Sequence, residues 1–580
     1  MNATPVIAEG RAAAAAEQAA GRQTITLPQP GDREAVAVTV RALTDKNASE
    51  RLWNADPTLF TPDPSHEKSI RSRLGWLRSP ALMNEKAAEL QAFTAEVSAA
   101  GFHRVVLLGM GGSSLCPEVF AHTFGGQTHG LTLDVLDNTD PAAVRAVEAA
   151  GDLRTTLFVV ASKSGGTIEI QSFERYFWDK VLALHGGDIA RAGAQFVAIT
   201  DPATRLGQLA ADKQYRRVFV NPADIGGRYS ALSYFGLVPA ALLGVDVAAV
   251  IEGGVTMAVA SAAQLPAGDI AGMTLGAALG TLYARGRDKL TVITAPEIAT
   301  LGSWIEQLVA ESTGKEGKGI VPVDLEPLGA VDVYGNDRVF VHITLPTLPE
   351  DGSAPADNTL AALEQAGHPV IRLKMGRRED LGREFFRWEL ATAIAGSVMG
   401  VNPFDEPNVT EAKVATGALL TVHQQQGKLP AAEGVVALDD AQAIRAHVLG
   451  AGAGDYVAFC AYFLRGPDRD RLFEELRVAT RRKTRAATTL GYGPRFLHST
   501  GQLHKGGANN GVFLQLTADV ASGADLPIPG EAYSFAVLRD AQALGDLQVL
   551  RRRGRRAIRV HLGLDVDAGL RRLLDIIRGG

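Results

Sequence analysis

Two short runs of this chain combine glycine with hydroxyl side chains: Gly109-Met110-Gly111-Gly112-Ser113-Ser114 and Ser162-Lys163-Ser164-Gly165-Gly166-Thr167. Each follows an apolar, β-branched stretch, Val105–Leu108 or Leu157–Val160, and precedes residues able to start a helix. A strand running into such a turn lets backbone amides approach an anion closely, because glycine has no Cβ in the way. The hydroxyls of Ser113, Ser162, Ser164 and Thr167 and the charge of Lys163 then suit a phosphate. Neither run ends in the Gly-Lys-Ser/Thr of a nucleoside triphosphate loop, and the serines fit a dinucleotide fingerprint badly. Two such turns at the ends of parallel strands predict one phosphorylated small molecule gripped from two sides.

The elements that must position these turns follow a βαβα rhythm. Strands are expected at Arg104–Leu108, Leu131–Leu136, Thr156–Val160, Gln195–Thr200 and Arg217–Val220, and again, more loosely, at Lys289–Thr294, Arg338–Leu345 and His368–Lys374. That alternation predicts parallel sheets covered by helices on both faces. The loop 346–352 is expected to break the second unit. Residues 440–480 look helical by pattern, with Phe463, Leu472 and Leu476 as core positions. At 580 residues the chain exceeds a single core. A net charge of −6 with both signs interspersed argues against general nucleic-acid binding. The basic runs Arg481-Arg482-Lys483 and Arg551 to Arg556 are read as a solvated helix face or a subunit contact. No uninterrupted apolar run of membrane-spanning length occurs, so no membrane partner is expected. The two cysteines, Cys116 and Cys460, suit a reducing compartment, and a cytoplasmic location is the expectation. The alanine-rich opening is read as a frayed or helical tail.

Three further motifs complete a pattern: Gly226-Gly227-Arg228-Tyr229-Ser230, then Gln307 to Lys315 (QLVAESTGK), then Asn402 to Val409 (NPFDEPNV) leading to Lys413. Together with the two turns, in this order, they resemble the glucose-6-phosphate isomerase family, and most of all the isomerase half of bifunctional transaldolase/glucose-6-phosphate isomerase proteins. No transaldolase half is evident. The resemblance implies an α/β fold with two SIS-type doubly wound parallel-sheet (αβα sandwich) domains and N- and C-terminal helical or mixed extensions. The expected division is an N-terminal extension (1–85), a phosphate-binding SIS domain (86–270), a second SIS domain with the catalytic glutamate and lysine (271–425) and a C-terminal region (426–580).

The implied reaction interconverts glucose 6-phosphate and fructose 6-phosphate: the ring opens, a proton moves between C2 and C1, and an enediolate is stabilised. It demands neither cofactor nor metal. By resemblance Glu311 is the base, and a carboxyl in a closed pocket can be tuned upward toward the working pH. Gln307, four residues earlier on a helix, would share its face. Arg228 is a fixed positive charge for the enediolate oxygens. Lys413 matches a lysine near the ring oxygen, and Glu169 a carboxylate near the sugar. Glu406 stands where the family usually carries glutamine, so it can accept but not donate a hydrogen bond while ionised. Gly112, Ser113, Ser162, Lys163, Ser164 and Thr167 would hold the phosphate.

The ring-opening histidine is out of order. Between Glu311 and Lys413 lie only His342, inside an alternating strand, and His368. The family's His-Ser-x-Gly-Gln segment instead matches His498-Ser499-Thr500-Gly501-Gln502, downstream of the lysine. His498 is therefore expected to carry the role from a relocated segment, with His504 left open. In the family this histidine reaches a neighbouring subunit's site, which implies a homodimer. The competing readings are a sugar-phosphate-binding regulator without catalysis, an isomerase that also accepts mannose 6-phosphate, and an aminosugar-phosphate isomerase. The last is disfavoured by the lack of an N-terminal glutamine-hydrolysing cysteine.

Overall fold

The apolar stretches expected to be strands all form strands. In the computed structural model, which describes residues 3–125, 130–345 and 354–579, the chain opens with the helix Ala3–Ala19, strand β1 (Gln23–Thr26) and a series of helices. Strands β2 (Arg104–Gly109), β3 (Thr132–Leu136), β4 (Thr156–Ala161), β5 (Phe196–Thr200) and β6 (Arg217–Val220) then alternate with helices. They pair in parallel in the order β3-β2-β4-β5-β6, a doubly wound arrangement. Every residue of β2 and β4 is buried, as a central strand with helices on both faces requires. Both glycine-rich turns leave the carboxyl ends of these two neighbouring strands.

A second sheet holds β7 (Lys289–Thr294), β8 (Val321–Val323), β9 (Arg338–Thr344) and β10 (Val370–Lys374) in the order β1-β10-β9-β7-β8. The N-terminal segment is thus part of it: β1 runs antiparallel along β10 and covers that edge. The alanine-rich opening is an anchored helix rather than a frayed tail. Its Glu17 is buried, pairing with Arg383 and, at 2.6 Å, with Arg387. The loop 346–352 lies outside the described residues.

Within 440–480 the helices Ala441–Val448 and Pro467–Thr484 form as expected, but Tyr456–Tyr462 between them is a strand. Strands β11 (Val435–Val436), β12 (Tyr456–Tyr462), β13 (Ala487–Tyr492), β14 (Gly511–Thr517) and β15 (Arg556–His561) form a third parallel sheet in the order β11-β15-β14-β12-β13. Strand β12 sits between the helices Ala441–Val448 and Pro467–Thr484. Val457, Phe459 and Ala461 enter one core, and Tyr456, Ala458, Cys460 and Tyr462 the other. Burial on both faces erases the alternation that marks a strand, so the stretch reads like a buried helix. Phe463 and Leu476 are core residues, with Leu472 packed against them.

Buried charge ties the third sheet to the second. Glu326 is 3.0 Å from both Arg338 and Arg481 and accepts from the Thr488 amide at 2.9 Å. Arg481, read as part of a solvated run, therefore points inward. Arg553 and Arg556 also find carboxylates, on Glu411 and Asp455. Cys116 and Cys460 are free and buried. Among the described residues no helix is long and apolar enough to cross a membrane.

Candidate active site

The second turn runs from the end of β4 into the helix Ile168–Leu184. Gly165 has φ +66° and lies 2.7 Å, measured from where a Cβ would sit, from the Leu206 nitrogen, so only glycine fits there. The Ser162 hydroxyl accepts from the Gly165 amide at 3.1 Å and lies 3.4 Å from the Thr167 hydroxyl. The Ser164 hydroxyl accepts from the Gly166 amide at 3.2 Å. No side chain caps the helix, leaving its first amides open to an anion. Lys163 pairs with Asp201 and donates to the Ala223 carbonyl at 3.1 Å, which holds its ammonium beside the turn.

The first turn is a meeting point. A Cβ on Gly111 (φ +57°) would lie 2.8 Å from the His498 carbonyl and 2.9 Å from Gln307 Nε2; one on Gly112 would lie 2.0 Å from the Gly227 carbonyl. Ser113 completes this turn and is buried. The turn after β2 thereby packs against three of the other motifs at once.

Gln307 and Glu311 occupy successive turns of the helix Thr300–Thr313. The Gln307 amide donates to Glu311 Oε2 at 3.1 Å and to the His498 carbonyl at 2.9 Å. Neither nearby lysine pairs with Glu311: Lys315 donates to the Asn402 carbonyl and Asp405 Oδ1 at 2.7 and 2.8 Å, and Lys318 to the Met399 carbonyl. The cation facing Glu311 is Arg228, at 3.5 Å. Its guanidinium also donates to Glu406 at 3.1 Å, to Ser312 at 2.9 Å and to the Pro403 and Asp405 carbonyls at 2.8 Å. Asp224 pairs instead with Arg78. Tyr229 holds this turn in place, its ring 5.5 Å from Trp76 and 5.3 Å from Phe404.

Two carboxyls thus share one guanidinium, and their environments drive them apart. Burial pushes Glu311 above the usual carboxylate range; Arg228 opposes this, and the neighbouring Glu406 adds to it. Glu406 is also penalised by burial, but Arg228 and Arg73 outweigh that and hold it below its ordinary value. Burial brings Lys315 down to about 8, with Arg228 adding to the effect.

His498 ends the short helical turn Arg495–His498, and its Nε2 lies 2.8 Å from Glu169 Oε1. Gln502 pins this segment: its amide donates to the Gly314 carbonyl at 2.9 Å and to Asn408 Oδ1 at 2.8 Å, and its carbonyl accepts from the Asn408 amide. His498 therefore comes from the same chain as Glu311. Burial raises Glu169, but the adjacent His498, with help from Lys413, holds it below the ordinary range. Lys413 is exposed on the helix Val409–Gln426. His342 stays in β9, its Nδ1 3.4 Å from Asp357. His504 is buried among Tyr456, Phe496 and Phe513, where burial pushes its pKa well down and keeps it neutral. Ser312 and Gln502, which lie within the quoted motifs but were given no role there, join this constellation, as does Gln542, 2.7 Å from Glu169 and outside every motif. A cavity of about 910 Å³ borders Phe496 and Ser499 but is lined by none of the candidate residues, so it is separate from this site.

The arrangement combines a buried carboxyl tuned upward, a saturated guanidinium beside it, a carboxylate–imidazole pair and an open anion turn. Comparisons with known proteins agree with that chemistry. Residues 83–323 match the family model described as phosphoglucose isomerase. A glucose-6-phosphate isomerase of Rubrobacter xylanophilus is 29% identical over 423 residues, covering 64% of this chain and 92% of the relative. One from Parabacteroides distasonis is 27% identical over 393 residues, covering 60% and 87%. The solved structure of a hypothetical protein from Thermus thermophilus has a similar fold, with a TM-score of 0.57 at 24% identity, covering 68% of this chain and 99% of that one.

Proposed function

We propose that this chain, whose residues 83–323 match the phosphoglucose isomerase family model, is an aldose–ketose isomerase that interconverts glucose 6-phosphate and fructose 6-phosphate through an enediolate. The phosphate sits on Ser162, Ser164 and Thr167, with Lys163 beside them and Gly112 and Ser113 closing from the first turn. His498 and Lys413 move the proton that opens the ring at its oxygen. Glu311 then takes the proton from C2 and returns it to C1. Arg228 balances the charge that develops on the enediolate oxygens, and Gln307 and Glu406 face the sugar hydroxyls. One proton leaves C2 and one is delivered to C1, while the hydroxyl proton passes from O2 to O1, so the isomerisation is redox-neutral overall and calls for no cofactor.

One observation carries this reading. The Glu311 carboxyl is raised by burial, yet it lies 3.5 Å from a guanidinium that other groups hold rigidly. A base near its working pKa is typically worth on the order of 10²–10⁴-fold, and preorganised positive charge is often the largest catalytic contribution. A homodimer follows only from the family resemblance. A cytoplasmic location is supported by the low cysteine content, two residues buried in different cores.

The test is turnover of fructose 6-phosphate, coupled to oxidation of glucose 6-phosphate by a dehydrogenase. Steady NADPH formation supports the proposal. Saturable binding without turnover favours the regulator, and release of mannose 6-phosphate in comparable yield favours the relaxed isomerase.

A further inference from the structure

We infer that Gln542, from the third sheet's layer of helices, is a positioning residue that fixes the proton arrangement of the Glu169–His498 pair. The substrate side of this inference rests on the function proposed above. Gln542 lies on the helix Phe535–Arg552 and is 2% exposed. Its amide nitrogen donates to Glu169 Oε1 at 2.7 Å, the same oxygen that His498 Nε2 reaches at 2.8 Å. Its carbonyl oxygen accepts from the fully buried Thr139 hydroxyl at 2.8 Å.

The chain of contacts has only one good orientation. Turning the Gln542 amide over would set its oxygen against the carboxylate of Glu169. With the amide as it stands, Glu169 Oε1 receives the Gln542 N–H beside His498 Nε2, and a hydrogen bond donated to a carboxylate favours its ionised form. An ionised Glu169 in turn requires the proton of neutral His498 to sit on Nε2. That leaves Nδ1 as the nitrogen that exchanges a proton with the sugar ring, since which nitrogen is free is set by the bond the other makes. The titratable groups acting on Glu169 are His498 and Lys413, and Gln542 itself does not titrate.

The helix that delivers Gln542 is firmly seated. Three residues earlier, Arg539 donates to Asp140 at 2.8 Å, next to Thr139. Phe535 stacks 5.9 Å from Phe173, on the helix that carries Glu169. The third sheet thus contributes twice to one pair: it supplies His498 after β13, and it supplies Gln542 to hold that histidine's partner.

Two substrates separate this role from a general packing role. Fructose 6-phosphate must be ring-opened, whereas 5-deoxyfructose 6-phosphate lacks the hydroxyl that closes the ring and stays open. Gln542→Leu is expected to lower kcat on fructose 6-phosphate by about ten- to a hundred-fold, as loss of an orienting partner does at comparable sites, with KM little changed. On the open-chain analogue the loss should stay under about three-fold. The isosteric Gln542→Glu keeps the packing but presents an acceptor at neutral pH. It should recover toward wild-type activity as pH falls, when the new carboxyl can donate to Glu169. Equal losses on both substrates, no loss on fructose 6-phosphate, or a Gln542→Glu pH profile identical to wild type would each overturn the inference. A wild-type chain inactive on both sugars would instead overturn the functional reading beneath it.

Discussion

Replacing Glu406 by glutamine should move the pH dependence of catalysis in a direction that only a shared guanidinium explains. Arg228 Nη1 is 3.5 Å from Glu311 and 3.1 Å from Glu406, so these two carboxylate oxygens lie within about 7 Å of each other. Two like charges about 6 Å apart at an effective dielectric constant of about 20 repel by roughly 3 kcal/mol. The Glu406 side chain is 40% exposed, and solvent screening reduces this to about 1 kcal/mol. Glu406 raises Glu311, so Glu406→Gln lowers it. Arg228, released from its second carboxylate, acts in the same direction. Because Glu311 works as a base, activity is lost as pH falls through its pKa. The acid limb of kcat/KM for fructose 6-phosphate, measured across pH 4–8 by the coupled assay, should therefore move to lower pH. The variant's plateau should be modestly lower, since a weaker base abstracts the proton less readily. A limb that stays in place or moves up would refute the reasoning: either Glu311 is not the titrating base, or Glu406 does not act on it.

The relocated histidine makes a sharp comparison. His498→Ala should abolish most turnover of cyclic substrate, whereas His342→Ala, in β9, should leave kcat within about two-fold; the reverse result, read in the same coupled assay, would return the role to β9. The junction of the second and third sheets should be acid-sensitive. Arg338 and Arg481 overcome the burial penalty and hold Glu326 at about 2, so the pair contributes about 3 kcal/mol above the unfolded carboxylate's pKa. That contribution should be lost as pH falls from about 4.5 toward 2. Glu326→Gln, which leaves two buried guanidinium groups without their counter-charge, should cost about 3–5 kcal/mol in urea unfolding and flatten that acid dependence. Unchanged stability would contradict this account of the junction.

The first two sheets were largely legible because their strands are β-branched runs bounded by turn residues. Three elements hid for separate physical reasons. Strand β8 spans three residues, too few for a pattern. Strand β1 lies in an N-terminal segment and finds its partner, β10, more than three hundred residues away in sequence. Strand β12 is buried on both faces and shows no alternation. At the site, the local relation of Gln307 to Glu311 was readable from helical spacing. The partners of Arg228 were not: folding gave the guanidinium to Glu311 and Glu406, far along the chain, while nearby Asp224 pairs with Arg78. Gln542 left no trace at all, because it sits in no motif and its meaning comes from a contact 373 residues away.

The central claim is that the carboxyl of Glu311 carries a proton between C2 and C1. Its most direct test is deuterium incorporation in D2O, followed by NMR at C2 of glucose 6-phosphate and C1 of fructose 6-phosphate, for wild type and Glu311→Gln. Isomerisation and carbon-bound exchange should fall together by at least about 10²-fold in the variant, while ring opening, measured as interconversion of the sugar's anomers, persists through His498. Undiminished exchange in Glu311→Gln would mean that another group moves the proton.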